Sequence, residues 1–106
     1  MSDLLFQNLM PVQSDKQPLP PTVASATDFA PTHFLTFITG TAQIENITPP
    51  VTGAHMLILI FTNAIPGTLL TTGNIANAVV PTQNLPTILV YDPVTAKYYG
   101  CAGNLT

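Results

Sequence analysis

From Asn46 to Tyr91 the chain carries no Asp, Glu, Lys or Arg, and five prolines and three glycines interrupt it. That stretch limits the fold more than any other feature. Prolines at 49, 50, 66, 81 and 86 mark turns and loops, because each removes a backbone donor and restricts the residue before it. What lies between them is rich in Ile, Leu, Val and Thr, the residues that suit a pleated surface. The expectation is a set of short strands joined by Pro/Gly turns.

The missing charge also bears on function. An ordinary domain is about one quarter charged, whereas this chain of 106 residues is 7% charged. Charged residues are depleted at the cores of protein interfaces, so the sequence reads as a β-rich subunit of an assembly. Net charge is -3, with Lys16 and Lys97 as its two basic residues. Nucleic-acid binding needs a basic footprint, and a polybasic membrane patch needs the same residues, so neither partner is expected. No apolar run approaches the roughly 20 residues of a membrane helix. The N-terminal segment has Asp3 and no basic run, so no signal peptide is expected and synthesis in a cytoplasm is the default.

Two textures divide the chain. Residues 1–32 hold Pro11, Pro18, Pro20, Pro21 and Pro31 and read as an extended N-terminal arm, with one helical turn expected over Asp3–Leu9. The arm nevertheless carries Leu4, Leu5, Phe6, Leu9 and Met10, which is unlike a merely solvated tail. Residues 33–106 read as the β domain. Strands are expected over Phe34–Thr39, Ala42–Ile47, Ala54–Phe61, Thr68–Thr72 and Thr87–Tyr91, with a strand or single helical turn over Ile75–Val80. Ala54–Phe61 is apolar at every position except His55, so both its faces are expected to be covered. Asp92-Pro93-Val94-Thr95 has the chemistry of a type I turn, and Ala96–Cys101 is expected to return as the partner of Thr87–Tyr91. The fold class is therefore all-β, a small β-sandwich or barrel-like domain with an extended proline-rich arm. A core this small favours oligomerisation.

The residues ITPP at 47–50, Gly53, LILIF at 57–61, TTGNIANA at 71–78 and LVYDPVTAKYYGC at 89–101 together carry a resemblance. The run resembles a β-structural module of tailed-bacteriophage virion proteins, found in fibre tips and in capsid-associated proteins, and it covers Ile44 to Cys101. The resemblance implies an all-β fold, assembly as a homotrimer and no catalytic residues. The chain departs from long tail fibres in lacking repeats, heptads and a shaft. Its size and arm are more similar to a capsid decoration (cement) protein, whose partner would be the major capsid protein and whose place would be the capsid surface of the virion. On that expectation Leu4, Leu5, Phe6, Leu9 and Met10 are candidate shell contacts. Leu57, Leu59, Phe61 and Ile75 are candidate trimer contacts. A receptor-binding adhesin at a tail tip or head fibre is the alternative, with Tyr98 and Tyr99 as candidate receptor contacts. A repeating coat or tube subunit is a third reading. Adjacent tyrosines in a strand point to opposite faces, so one of the pair is expected in a core and the other outside.

Catalytic chemistry finds little material. The acids are Asp3, Asp15, Asp28, Glu45 and Asp92, three of them in the arm and Asp92 explained by its turn. Serines stand only at 2, 14 and 25, no phosphate-binding glycine loop occurs, and Cys101 is the single cysteine. One histidine per chain near a threefold axis, His55 before His33, would be the arrangement for a metal. A hydrogen-bonded strand histidine is the simpler expectation. Asn46-Ile47-Thr48 and Asn104-Leu105-Thr106 match a glycosylation sequon and read as chance matches. No enzyme activity, cofactor or metal is expected.

Overall fold

The computed structural model describes residues 19–103, and within them the chain coils between two sheets. β1 (Thr22–Ala24), β3 (Leu35–Thr39) and β5 (His55–Phe61) lie side by side in one sheet. β2 (Asp28–Phe29) and β4 (Asn46–Ile47), which fall between them in the chain, form a second, two-stranded sheet. All three of these neighbouring pairs are parallel. Parallel neighbours require a crossover, ordinarily a helix. Here Pro31, Pro49 and Pro50 sit in the crossovers and exclude one, so each return passes through an extended segment on the other layer. β6 (Pro86–Asp92) and β7 (Lys97–Ala102) complete the large sheet as an antiparallel hairpin, giving the order β1-β3-β5-β6-β7.

The second layer continues beyond β4 as single-residue pairings. Ile44 bridges Leu69 in parallel, and Leu69 bridges Val79 antiparallel. Pro66, Gly67, Gly73 and Pro81 stop these segments from lengthening. The expected strands over Ala42–Ile47, Thr68–Thr72 and Ile75–Val80 are thus reduced to β4 and isolated bridges. Their apolar residues still point inward. Phe29, Ile44, Ile47, Leu69, Ile75 and Val79 pack against Ile38, Leu57, Leu59, Phe61, Leu89 and Tyr98 of the large sheet, all at most 4% exposed. Burying a side chain of this size stabilises by about 1.5–3 kcal/mol before the entropy of ordering is set against it.

The boundary expected at residue 32 is corrected. β1 and β2 both precede it and belong to the fold. Pro20 and Pro21 stand just outside β1, and Pro21, without an N–H, still accepts from Phe37 N–H at 2.9 Å. Ser25 N–H then donates to Thr39 O at 2.8 Å, and Phe29 fills the core at 2% exposure. The helical turn expected over Asp3–Leu9 lies outside the described residues.

The strand pattern around the last hairpin is close to expectation. Asp92 Oδ1 accepts from Val94 N–H at 3.0 Å and its Oδ2 from Thr95 Oγ1–H at 3.0 Å, which fixes the turn. The hairpin closes through Ala96 in the left-handed region, φ 56°. The outer edge of β7 does not stay open. Tyr98 N–H donates to Asn74 O and Ala76 N–H to Tyr98 O, at 2.8 and 2.7 Å. One residue pair further on, the Asn77 side chain takes the place of a strand, accepting from Gly100 N–H at 3.0 Å and donating to Gly100 O at 2.7 Å.

Candidate functional site

Four rings gather where β5 begins and the β6–β7 hairpin ends. His55 stacks on Tyr91, with centroids 5.0 Å apart, meets Tyr98 edge-on at 5.6 Å and lies 5.9 Å from Phe34. Strand register places them there, because His55 opposes Tyr91 on β6, which opposes Tyr98 on β7. His55 Nδ1 lies 2.8 Å from Gly53 O and its Nε2 lies 2.8 Å from Tyr98 Oη. A carbonyl only accepts, so Nδ1 carries a proton, and Nε2 shares a hydrogen bond with the Tyr98 hydroxyl. Burial pushes the Tyr98 phenol well above its ordinary value, with Tyr91 beside it adding to the shift. Tyr98 has no exposed surface. The group is a hydrogen-bonded clamp that ties the start of β5 to the edge strand.

Among the described residues, the remaining ionisable side chains are dispersed. Asp28 accepts from Asn46 Nδ2–H at 3.2 Å across β2 and β4, and Glu45 accepts from Thr72 Oγ1–H at 2.6 Å. His33 Nδ1 is 2.8 Å from Thr32 Oγ1. Cys101 is exposed on β7. Among the described residues, no three His, Cys, Asp or Glu side chains stand together as a metal site. No helix among them is long and apolar enough to cross a membrane.

The candidate contact residues are redistributed. Leu57, Leu59, Phe61 and Ile75 have no exposed surface in the single chain, so they form its own core and cannot serve as trimer contacts. Tyr98 is corrected for the same reason, and cannot touch a receptor. Tyr99, its neighbour, points the other way and is 44% exposed, as alternation along a strand requires. Leu4, Leu5, Phe6, Leu9 and Met10 lie outside the described residues.

The surface that sequence reasoning missed is the outer face of the large sheet. Across it run the register rows Leu35–Ile58–Ile88–Cys101, Phe37–Ile60–Pro86 and Met56–Val90–Tyr99. Met56, Val90 and Tyr99 are 50%, 47% and 44% exposed, and Leu35, Phe37, Ile58, Ile60 and Ile88 are partly exposed. The usual polarity is broken at one buried position on each of two strands. Thr36 and Thr87 are wholly buried against the core while Leu35, Phe37, Ile88 and Val90 face outward. The continuous apolar run of β5 was the signal for a two-sided strand, but in β5 every position is apolar except His55, so period alone did not say which side met the core.

Comparison with protein-family models, with curated proteins and with solved structures finds no match to this chain.

Proposed function

We propose that the chain is a structural protein of a tailed-bacteriophage virion, a capsid decoration protein that binds and stabilises the assembled head. The observation that carries the reading is the chemistry of its surface: an all-β body with an apolar outer sheet face whose charges are confined to Asp92 and Lys97 at one end. Such a surface suits a permanent protein neighbour. In this reading the β body trimerises, and the arm docks on the major capsid protein through Leu4, Leu5, Phe6, Leu9 and Met10. Binding the assembled shell in preference to its separated parts stabilises the shell by mass action. The protein would sit on the capsid surface, and no catalytic step, nucleic acid or membrane enters the reading.

The experiment is the copy number per purified virion, measured by quantitative mass spectrometry against the coat protein. A number in fixed proportion to the coat lattice supports decoration. A number matching a few tail appendages moves the assignment to a receptor-binding adhesin, for which Tyr99, exposed on the edge strand, is the residue in favour. Absence from the particle overturns both. Deleting Met1–Asp15 then tests the arm: the truncated chain should still self-associate but no longer bind empty shells.

A further inference from the structure

We infer that the outer face of the five-stranded sheet is a self-association surface, and that its occupant is the same face of a second copy of this chain. The inference rests on the oligomeric part of the reading above and not on the shell. It moves the subunit contact from the buried Leu57, Leu59, Phe61 and Ile75 to Phe37, Met56, Ile58, Ile88, Val90 and Tyr99.

Four observations carry it. First, β3 and β6 each spend a buried position on a threonine, Thr36 and Thr87, beside the buried Ile38 and Leu89, while Leu35, Phe37, Ile88 and Val90 occupy outward positions. A face meant for water would place them the other way, since an antiparallel or mixed sheet with one wet side alternates apolar-in and polar-out. Second, the face carries no charge from Thr39 and Pro86 at one end up to the cross-strand pair Asp92 and Lys97 at the other. A strongly charged partner finds nothing to pair with, whereas an equally uncharged apolar sheet does. Among the described residues, the surface of that chemistry is this same sheet face, which a second copy also presents.

Third, the β7 edge of the sheet is closed to strand addition and the β1 edge is short. On β7 the outward groups of Tyr98 and Gly100 are taken by Asn74, Ala76 and Asn77. β1 on the opposite edge is three residues long and follows Pro20 and Pro21. Natural sheets block edge pairing in this way, and copies are thereby directed to meet face on. Fourth, the area suffices. Side chains of this number and exposure present on the order of 500 Å² per copy, which brings a pair to the roughly 1,000 Å² that a specific interface needs. Two such faces packed together would form a further dry layer about 10 Å thick. Three turned toward one axis would each meet both neighbours.

The test uses the full chain, purified without shells, in sedimentation equilibrium and light scattering. Wild type is expected to have a dimer or trimer mass at micromolar concentration. Val90→Lys and Tyr99→Lys, at half-exposed positions that tolerate a long side chain, are expected to raise the dissociation constant at least 10-fold, corresponding to about 1.4 kcal/mol. Val94→Lys and Ile65→Lys, at exposed positions outside this face, are expected to leave it unchanged. Monomeric wild type overturns the inference. So does dissociation by the Val94 or Ile65 variants but not by the face variants. A second readout needs no substitution: Cys101 lies on the face in register with Ile88, so maleimide labelling of wild type should slow as concentration rises. A labelling rate independent of concentration also overturns the inference. Either mass supports the face, and a dimer counts only against the trimer of the proposed function. Failure to bind shells in a chain that self-associates counts against decoration alone.

Discussion

The side-chain amide of Asn74 holds Ile47 as a neighbouring strand would, accepting from its N–H at 2.8 Å and donating to its C=O at 2.7 Å. Asn77 treats Gly100 the same way. Between them the backbone of Asn74 and Ala76 pairs with Tyr98, and Ile75 is wholly buried. The segment therefore stitches β4 of the small sheet to β7 of the large one along one side of the molecule. Gly73 lets the chain approach, since a Cβ there would run into the Asn46 side chain and the Glu45 carbonyl.

Asn74→Ala removes both bonds and leaves two part-buried backbone groups of Ile47 without partners. Each bond contributes about 0.5–1.5 kcal/mol and an unsatisfied buried group costs more, so the expected loss is about 2–3 kcal/mol. Asn74→Asp should not rescue it, because a second carboxylate oxygen would face Ile47 O in place of the donor. Urea denaturation midpoints at constant m-value would measure both. A loss below about 0.5 kcal/mol for Asn74→Ala would show that water replaces the amide freely.

Thr87 is wholly buried on the core side of β6, and its Oγ1 has no hydrogen-bond partner. A buried hydroxyl without a partner costs about 1–3 kcal/mol relative to an apolar group of the same shape. Thr87→Val keeps the volume and the β-branched form that strands favour. The expectation is a gain of about 1 kcal/mol, read as a raised thermal midpoint. An unchanged or lowered midpoint would mean that Thr87 is satisfied by a bound water that valine displaces.

The legibility of this fold differs from residue to residue. The last hairpin was readable because Asp92-Pro93 combines turn chemistry with alternation on both sides, and all of its information is local. β5 was readable as a strand from its apolar run, yet its sidedness was not. Which of Leu57 or Ile58 meets the core depends on where Phe29, Ile44 and Leu69 arrive from, and those positions are set by distant crossovers. The parallel coil was hidden for the same reason: β1, β2 and β4 are two or three residues long, too short for a period to register. Prolines 20, 21 and 31 suggested an arm up to residue 32, when they in fact bracket strands. His55 is a hydrogen-bonded strand histidine, bound to Gly53 O and Tyr98 Oη. Its partner Tyr98 stands 43 residues away, a pairing that no spacing rule reveals.

Ala96 closes the β6–β7 turn with φ at 56°. A residue with a Cβ is strained in the left-handed region by about 1 kcal/mol, and glycine is not. Ala96→Gly relieves that strain but adds freedom to the unfolded chain, so the net gain expected is about 0.5 kcal/mol. Ala96→Val should cost about 1 kcal/mol or more, since a β-branched side chain fits this region worst. The pair of variants, compared by thermal unfolding, checks the conformation: equal midpoints for Gly and Val would exclude a left-handed Ala96.

Tyr98 links the clamp to alkaline stability. Its burial, with Tyr91 alongside, holds the phenol protonated in the fold well above the ordinary tyrosine range. In the unfolded chain the same phenol ionises near pH 10. Below that value both states keep the proton and the contribution of Tyr98 to stability is constant. Above it the unfolded chain releases a proton that the folded chain retains, so stability falls as pH rises toward the folded-state value. Tyr98→Phe removes this linkage and also removes the hydroxyl bonded to His55 Nε2. At neutral pH the variant should therefore lose about 1 kcal/mol, while its stability should decline less steeply than wild type above pH 10. Unfolding free energies measured by denaturant titration from pH 7 to pH 11 would follow both effects. Parallel declines in the two proteins would mean that Tyr98 ionises in the fold as readily as it does unfolded, and that the clamp does not exclude water from its oxygen.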